Sequence, residues 1–133
     1  RIKIGEIMIP NVSLQKKLVL IVEDNPELNL LLSTYLKRNN LDVLTCHSGE
    51  EAIAAIETKR PDLILCDFIM PKGNGLFVME YLKSHNIQVP VIFLTGYTGG
   101  EITQIKTFAN VIEVLAKPAH PRAILNKISE NID

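Results

Sequence analysis

Short runs of β-branched and other apolar residues alternate with segments of helical period from Leu18 onward. This alternation is typical of an α/β fold in which helices connect the strands of a parallel sheet. The predicted strands are Leu18–Val22, Asp42–Thr45, Leu63–Cys66, Val91–Thr95 and Val111–Ala116. Three of them are almost continuously apolar, as expected when helices cover both faces of a sheet.

Each connection between these strands is long enough to hold a helix. The clearest helix follows Asn25 and Pro26, a predicted N-cap and first helical residue. Its apolar positions at helical spacing are Leu28, Leu31, Leu32, Tyr35 and Leu36. A second helix begins at the capping box Ser48-Gly49-Glu50-Glu51 and is expected to bury Ala52, Ala55 and Ile56. A third runs from Leu76 to Lys83 with Leu76, Met79 and Leu82 facing inward. A shorter fourth carries Ile102, Ile105 and Phe108, and a fifth spans Arg122 to Asn131. Right-handed crossovers then give a (βα)₅ doubly wound domain with a five-stranded parallel sheet.

Composition narrows the class of partner. The 133 residues fit one globular domain, and 14 Lys and Arg against 15 Asp and Glu give a formal charge of −1. No overall field therefore favours nucleic acid or an anionic membrane. No apolar run approaches the roughly 18 residues that a membrane span needs, and Glu6 and Pro10 interrupt the N-terminal stretch.

Residues 1–16 fit no unit of the repeat, so we interpret them as an N-terminal extension or linker and residues 17–133 as the domain. Cys46 and Cys66 lie in apolar runs without metal-binding spacing, which predicts buried thiols and a cytoplasmic setting. The histidines, which share no spacing, are expected at the surface; they are His47, His85 and His120.

Polar residues stand at the carboxyl ends of four predicted strands. Glu23 and Asp24 follow the first strand, Asp67 follows the third, Thr95 closes the fourth and Lys117 follows the fifth. The first and third strands of such sheets commonly lie side by side. We therefore expect three carboxylates in one crevice.

Like charges at short range repel one another, and their pKa values rise unless a cation neutralises them. Oxygen ligands in a shallow, wet site suit Mg²⁺, which keeps several waters and accepts carboxylate and phosphate oxygens. A carboxylate at such a site can act as a nucleophile toward phosphorus. Asp67 is the best placed because the apolar strand before it holds it rigidly. Mg²⁺, the Lys117 ammonium and the Thr95 hydroxyl would neutralise the phosphoryl oxygens.

Four motifs in chain order resemble those of response-regulator receiver domains of two-component signalling. They are Val22-Glu23-Asp24-Asn25, Asp62 to Pro71 with Gly75 beyond, Phe93-Leu94-Thr95-Gly96 and Leu115-Ala116-Lys117-Pro118. The resemblance covers about Lys17 to Asn131. It implies the flavodoxin-like, CheY-like fold with strand order 2-1-3-4-5.

The resemblance also implies a role for each matching residue. These roles are a metal pair at Glu23 and Asp24, the phosphoacceptor and third acidic ligand at Asp67, a backbone carbonyl ligand at Ile69, the signalling hydroxyl at Thr95, a phosphate-pairing lysine at Lys117 and a cis peptide before Pro118. The implied cofactor is Mg²⁺, and the implied donor is a histidine kinase or a histidine phosphotransfer protein. Such a domain is not an enzyme acting on other molecules, since it assists only its own phosphorylation and dephosphorylation.

The sequence departs from the family pattern at three places. Val114 replaces a common aromatic switch residue, Asn110-Val111 replaces the usual Gly-Ala, and Gly73-Asn74 replaces Met-Asp. The last change leaves the conformation of its loop open, although Gly73-Asn74-Gly75 reads as a turn and helix start. A valine has one χ1 torsion and no ring to swing between buried and exposed poses. We therefore hypothesise a weak switch around Val114, with a phosphate relay or an output read near Asp67 and Tyr97.

Two other functions remain open from the residues alone. A pseudo-receiver would keep the fold as a docking scaffold without phosphorylation, although the intact site residues argue against it. A phosphohydrolase of the haloacid-dehalogenase type would place a second acid two residues after the nucleophile, where this chain has Ile69. No DNA-binding segment follows Asp133, so we expect a protein contact as output, and an upstream domain of the same chain is possible.

Overall fold

The computed structural model describes residues 16–132. Within this range the predicted alternation takes the form of five strands and five helices. The strands are β1 Leu18–Val22, β2 Asp42–Cys46, β3 Leu63–Cys66, β4 Val91–Thr95 and β5 Val111–Ala116. The helices are α1 Pro26–Arg38, α2 Gly49–Thr58, α3 Gly75–Ser84, α4 Glu101–Ile105 and α5 Pro121–Asn131.

The strands form one parallel sheet in the order β2-β1-β3-β4-β5, as predicted. β1 pairs with both β2 and β3, so Val22 lies opposite Cys46 on one side and Cys66 on the other. A register shift interrupts the β4–β5 pairing between Val91 and Ile92. Because all strands run the same way, their carboxyl ends share one edge of the sheet.

Helices cover both faces of the sheet and bury two apolar clusters. On one face α1 and α5 contribute Leu32, Leu36, Ile124 and Ile128. On the other face α2, α3 and α4 contribute Ala52, Ile56, Val78, Met79, Leu82 and Ile105. The central strands β1, β3 and β4 are buried along their whole length.

Side-chain caps start four of the helices, since Asn25, Ser48, Asn74 and His120 cap α1, α2, α3 and α5. Asn25 Oδ1 accepts from the N–H of Leu28, and Ser48 Oγ accepts from the N–H of Glu51. The reciprocal bond of the α2 box differs from a standard one, because the Glu51 carboxylate accepts from the N–H of His47. Asn74 caps α3, which confirms the turn and helix start predicted there.

Three details correct the sequence-based expectations. Leu31 is 54% exposed because the sheet-facing side of α1 is taken by Leu32 and Leu36. β2 continues one residue further, to Cys46. α4 ends at Ile105, before Phe108, because the N–H groups of Thr107 and Phe108 donate to carbonyls three residues back rather than four.

Both cysteines are buried and free, as predicted. Burial raises the pKa of Cys46 to about 12 and that of Cys66 well above its ordinary value. The three histidines are exposed. No helix among residues 16–132 is long and apolar enough to cross a membrane.

Candidate functional site

The pairing of β1 with β3 brings the first two acidic motifs together. The N–H of Asp67 donates to the Val22 carbonyl at 2.9 Å, and the N–H of Glu23 donates to the Cys46 carbonyl at 3.0 Å. These bonds extend the strand pairing by one residue beyond the strand ends. Glu23 and Asp67 therefore lie side by side at the end of the sheet, held by the pairing of their strands.

Three carboxylates meet at this edge, as predicted. Glu23, Asp24 and Asp67 each contribute an oxygen, and these oxygens lie within 4.8 Å of one another. Glu23 and Asp67 are buried, whereas Asp24 is exposed. The crevice thus has two buried acids at its base and one at its mouth.

The Lys117 ammonium bridges the two buried acids. Its Nζ lies 2.9 Å from Glu23 Oε1 and 2.9 Å from Asp67 Oδ2. The peptide bond between Lys117 and Pro118 is cis, as predicted, and the Lys117 N–H donates to the Thr95 carbonyl at 3.0 Å. This hydrogen bond joins the ends of β4 and β5 at the residue whose ammonium contacts the acids.

The protonation of this cluster follows from its burial. Burial raises the pKa of Glu23, and hydrogen bonds from Lys117 and from the N–H of Asn25 offset only part of that rise. Burial alone would lower the pKa of Lys117, but its bonds to Asp67 and Glu23 raise it more. Lys117 is therefore a cation at neutral pH, and it is the cation that the two acids share.

Thr95 is buried at the end of β4, next to β3. Its Oγ1 accepts from the N–H of Tyr97 at 3.1 Å. Tyr97 is half-buried, and its ring stacks on Phe68 with the centroids 5.1 Å apart and the planes 10° apart. Tyr97 is thus more than the exposed loop aromatic that its position in the sequence indicates.

The oxygen donors fit a small divalent cation of the Mg²⁺ type. Three carboxylates are close enough to share one ion. Ile69 stands two residues after Asp67, and within the described part of the chain its carbonyl accepts no hydrogen bond. This carbonyl oxygen is therefore available to another partner.

The loop between β3 and α3 is anchored on the N-terminus of α2. The N–H groups of Gly49 and Glu50 donate to the carbonyls of Gly73 and Lys72 at 3.0 and 2.9 Å. Gly73 has a φ of 103°, a value that favours glycine. The departure from the family at Gly73-Asn74 therefore supplies a turn that docks this loop.

Sequence reasoning missed one residue that holds the site. Asn29 is 3% exposed, and its amide donates to the carbonyls of Glu23 at 3.0 Å and Cys46 at 3.1 Å. It ties α1 to the ends of β1 and β2. The available signal was a polar residue on the inward side of an amphipathic helix, since buried amides need partners.

Comparisons with known proteins identify the family of this chain. The family model of the response regulator receiver domain matches residues 19–129. The alkaline phosphatase synthesis transcriptional regulatory protein PhoP of Bacillus subtilis (strain 168) is 32% identical over 108 residues, which are 81% of this chain and 45% of PhoP. The transcriptional regulatory protein CpxR of Klebsiella pneumoniae subsp. pneumoniae (strain HS11286) is 34% identical, over 83% of this chain and 47% of CpxR. This chain spans about half the length of these two relatives.

Solved structures show the same likeness. A CheY-like receiver domain protein from Methanospirillum hungatei JF-1 has a TM-score of 0.81 and 27% identity, over 87% of this chain and 93% of that one. The chemotaxis protein CheY4 of Vibrio cholerae has a TM-score of 0.80 and 25% identity, over 89% of this chain and all of that one. The chain belongs to the response regulator receiver domain family of two-component signalling.

Proposed function

We propose that this receiver domain accepts a phosphoryl group on Asp67 and relays or switches a signal. This proposal depends mainly on the surroundings of the Asp67 carboxylate, which directly follows a buried strand. The Lys117 ammonium lies 2.9 Å from one of its oxygens, and two further acids lie beside it. The proposed donor is a phosphohistidine of a histidine kinase or phosphotransfer protein, met in the cytoplasm. An upstream domain of the same chain is a further proposed partner.

In the proposed reaction an Asp67 oxygen forms a bond to phosphorus while the bond from phosphorus to the donor nitrogen breaks. The electron pair of that bond leaves with the imidazole. Such transfers depend on positioning and on neutralising charge at the equatorial oxygens. The β3 strand holds Asp67 in place, and the Lys117 ammonium and the Thr95 hydroxyl supply donors to the phosphoryl oxygens.

Glu23, Asp24, Asp67 and the Ile69 carbonyl would hold Mg²⁺. When bound, the ion supplies positive charge that offsets the repulsion between the three carboxylates and an incoming phosphate. In the structure Lys117 already occupies one oxygen of Glu23 and one of Asp67. The second oxygen of each acid accepts one backbone N–H, from Asn25 at Glu23 and from Phe68 at Asp67. Because a carboxylate has about four lone-pair sites, the ammonium and a metal ion could still share the cluster.

Labelling with acetyl phosphate tests this function. We expect one stable phosphoryl group per chain in the presence of Mg²⁺ and almost none in EDTA, measured by intact mass. No label with Mg²⁺ would instead identify a docking scaffold. Rapid release of phosphate from added esters, without a stable label, would identify a phosphohydrolase.

Val114 predicts a weak response on the α4–β5 face. This side chain is half-buried on β5 and packs against the core, and a valine offers little energy difference between two poses. The free energy by which phosphorylation shifts the two conformations of that face should stay well under roughly 5.5 kcal/mol, the amount needed to change their ratio from 1:99 to 99:1. Amide NMR with and without beryllofluoride, a phosphoryl mimic, should show changes clustered at residues 67–75 and 95–100. Large changes confined to residues 100–116 would refute the weak switch.

A further inference from the structure

The loop after β4 holds an aromatic ring with links to both halves of the phosphorylation site. Its backbone link is the Tyr97 N–H, which donates to Thr95 Oγ1 at 3.1 Å. Its ring link is the stack on Phe68, whose own N–H donates to Asp67 Oδ1 at 2.7 Å. Tyr97 therefore contacts Thr95 directly and is linked to Asp67 through Phe68.

The far end of the same ring contacts α4. The Tyr97 hydroxyl donates to the carboxylate of Glu101, the first residue of α4. Gly99 makes this pose possible, because a Cβ at that position would overlap the Tyr97 hydroxyl. The loop thus folds tightly over the ring, and glycine is the residue that permits it.

Rotation of Thr95 toward a phosphoryl group on Asp67 would weaken two of these contacts. A hydroxyl that turns toward a phosphoryl oxygen rotates about χ1, and Thr95 Oγ1 then leaves the N–H of Tyr97. An Asp67 oxygen that becomes part of an acyl phosphate is also a weaker acceptor for the N–H of Phe68. Both changes weaken the contacts that hold Tyr97, namely its backbone hydrogen bond to Thr95 and the stack of its ring on Phe68.

On the basis of the proposed phosphorylation of Asp67, we infer that Tyr97 is the residue that transmits the movement of Thr95 to α4. When Thr95 turns inward, the ring leaves Phe68 and releases Glu101. Tyr97 is thereby a movable aromatic in the loop before α4, and its effect is confined to the first residue of that helix, apart from the Val114 face. It acts through Thr95 and touches no reacting atom, so its role is to position and transmit.

The chain offers a direct readout of this ring, since it has no tryptophan and three tyrosines. The double variant Tyr35→Phe, Tyr81→Phe leaves Tyr97 as the sole fluorophore. We expect acrylamide quenching of Tyr97 to shift toward that of free tyrosine amide when acetyl phosphate and Mg²⁺ label the protein. Intact mass in the same samples gives the labelled fraction. The variant Tyr35→Phe, Tyr97→Phe reports Tyr81 on α3 instead and should show no shift.

Two pairs of variants test the transmission in the Tyr97-only background. Thr95→Ser keeps the hydroxyl and should retain the shift, whereas Thr95→Ala should lose it. Gly99→Ala should expose Tyr97 before any labelling, because its methyl group displaces the ring. The matched control Gly100→Ala should behave like its parent, because a Cβ there meets no atom within 4 Å.

The outcomes separate the two proposals. A labelled protein whose Tyr97 quenching does not change overturns the transmission and leaves the phosphorylation of Asp67 standing. A shift that persists in labelled Thr95→Ala also overturns it, because Thr95 would then not be its source. Absence of label overturns the phosphorylation itself, and the transmission with it.

Discussion

Asp67→Asn is expected to reduce phosphoryl labelling by more than about 100-fold, to below detection. The substitution keeps the shape of the side chain but replaces the carboxylate, the proposed nucleophile, with a neutral amide. It also removes one of the three acidic oxygens that lie within 4.8 Å of one another. Intact mass after incubation with acetyl phosphate and Mg²⁺ measures the effect.

Asp62→Asn is the matched control for this change. Asp62 precedes β3 at the opposite edge of the sheet, where its carboxylate accepts from the N–H of Leu18 at 2.7 Å. An amide oxygen can accept the same bond, so labelling of this variant should equal that of the wild type. Label that persists in Asp67→Asn would contradict the assignment, and so would equal losses in both variants.

Lys117→Met is expected to lower the free energy of unfolding by about 2–4 kcal/mol at neutral pH without Mg²⁺. Methionine replaces the stem of the lysine but leaves Glu23 and Asp67 buried side by side with no cation between them. The estimate lies at the lower end for broken buried pairs because Lys117 is itself a quarter exposed. Urea unfolding of both proteins measures the difference.

Lys127→Met is the control for Lys117→Met. The Lys127 ammonium lies 3.7 Å from Glu113 and 3.7 Å from Glu130 at the surface, and such pairs contribute about 0–1 kcal/mol. A loss in Lys117→Met no larger than the loss in Lys127→Met would show that the bridge between the buried acids adds nothing to stability.

The loss of unfolding free energy in Lys117→Met is expected to be smaller at lower pH. Burial raises the pKa of Glu23 above its ordinary 4.5, so the folded state binds this proton more tightly than the unfolded chain does. Protonation of Glu23 therefore favours folding, and this contribution is lost as pH rises through the folded pKa. Without Lys117 that pKa rises further, so the deficit should narrow as pH falls from about 7 toward about 5. Mg²⁺ should also restore more stability to this variant than to the wild type.

The sheet followed from the sequence because its signals are local. A run of four to six apolar residues between turn residues makes a strand whatever lies elsewhere, so β1, β3, β4 and β5 have the predicted bounds. Parallel strands place their carboxyl ends together, and that topology assembles Glu23, Asp24 and Asp67 without any knowledge of side-chain contacts. The predictions that were wrong concern the ends of β2 and α4, the outward turn of Leu31 and the exposure of Tyr97, where neighbouring packing decides.

Only the tertiary structure decided how the site residues are held and what they touch. The bridge from Lys117 to both Glu23 and Asp67 spans 94 and 50 positions of the chain, and no local pattern encodes which acid a lysine will meet. The same is true of Asn29, which binds two strand ends, and of Tyr97, whose stack on Phe68 depends on the loop around Gly99. The sequence determined which chemical groups arrive at one edge of the sheet, because strand direction settles that. Their pairing depends on distances of a few ångströms between residues far apart in the chain, and packing alone sets those distances.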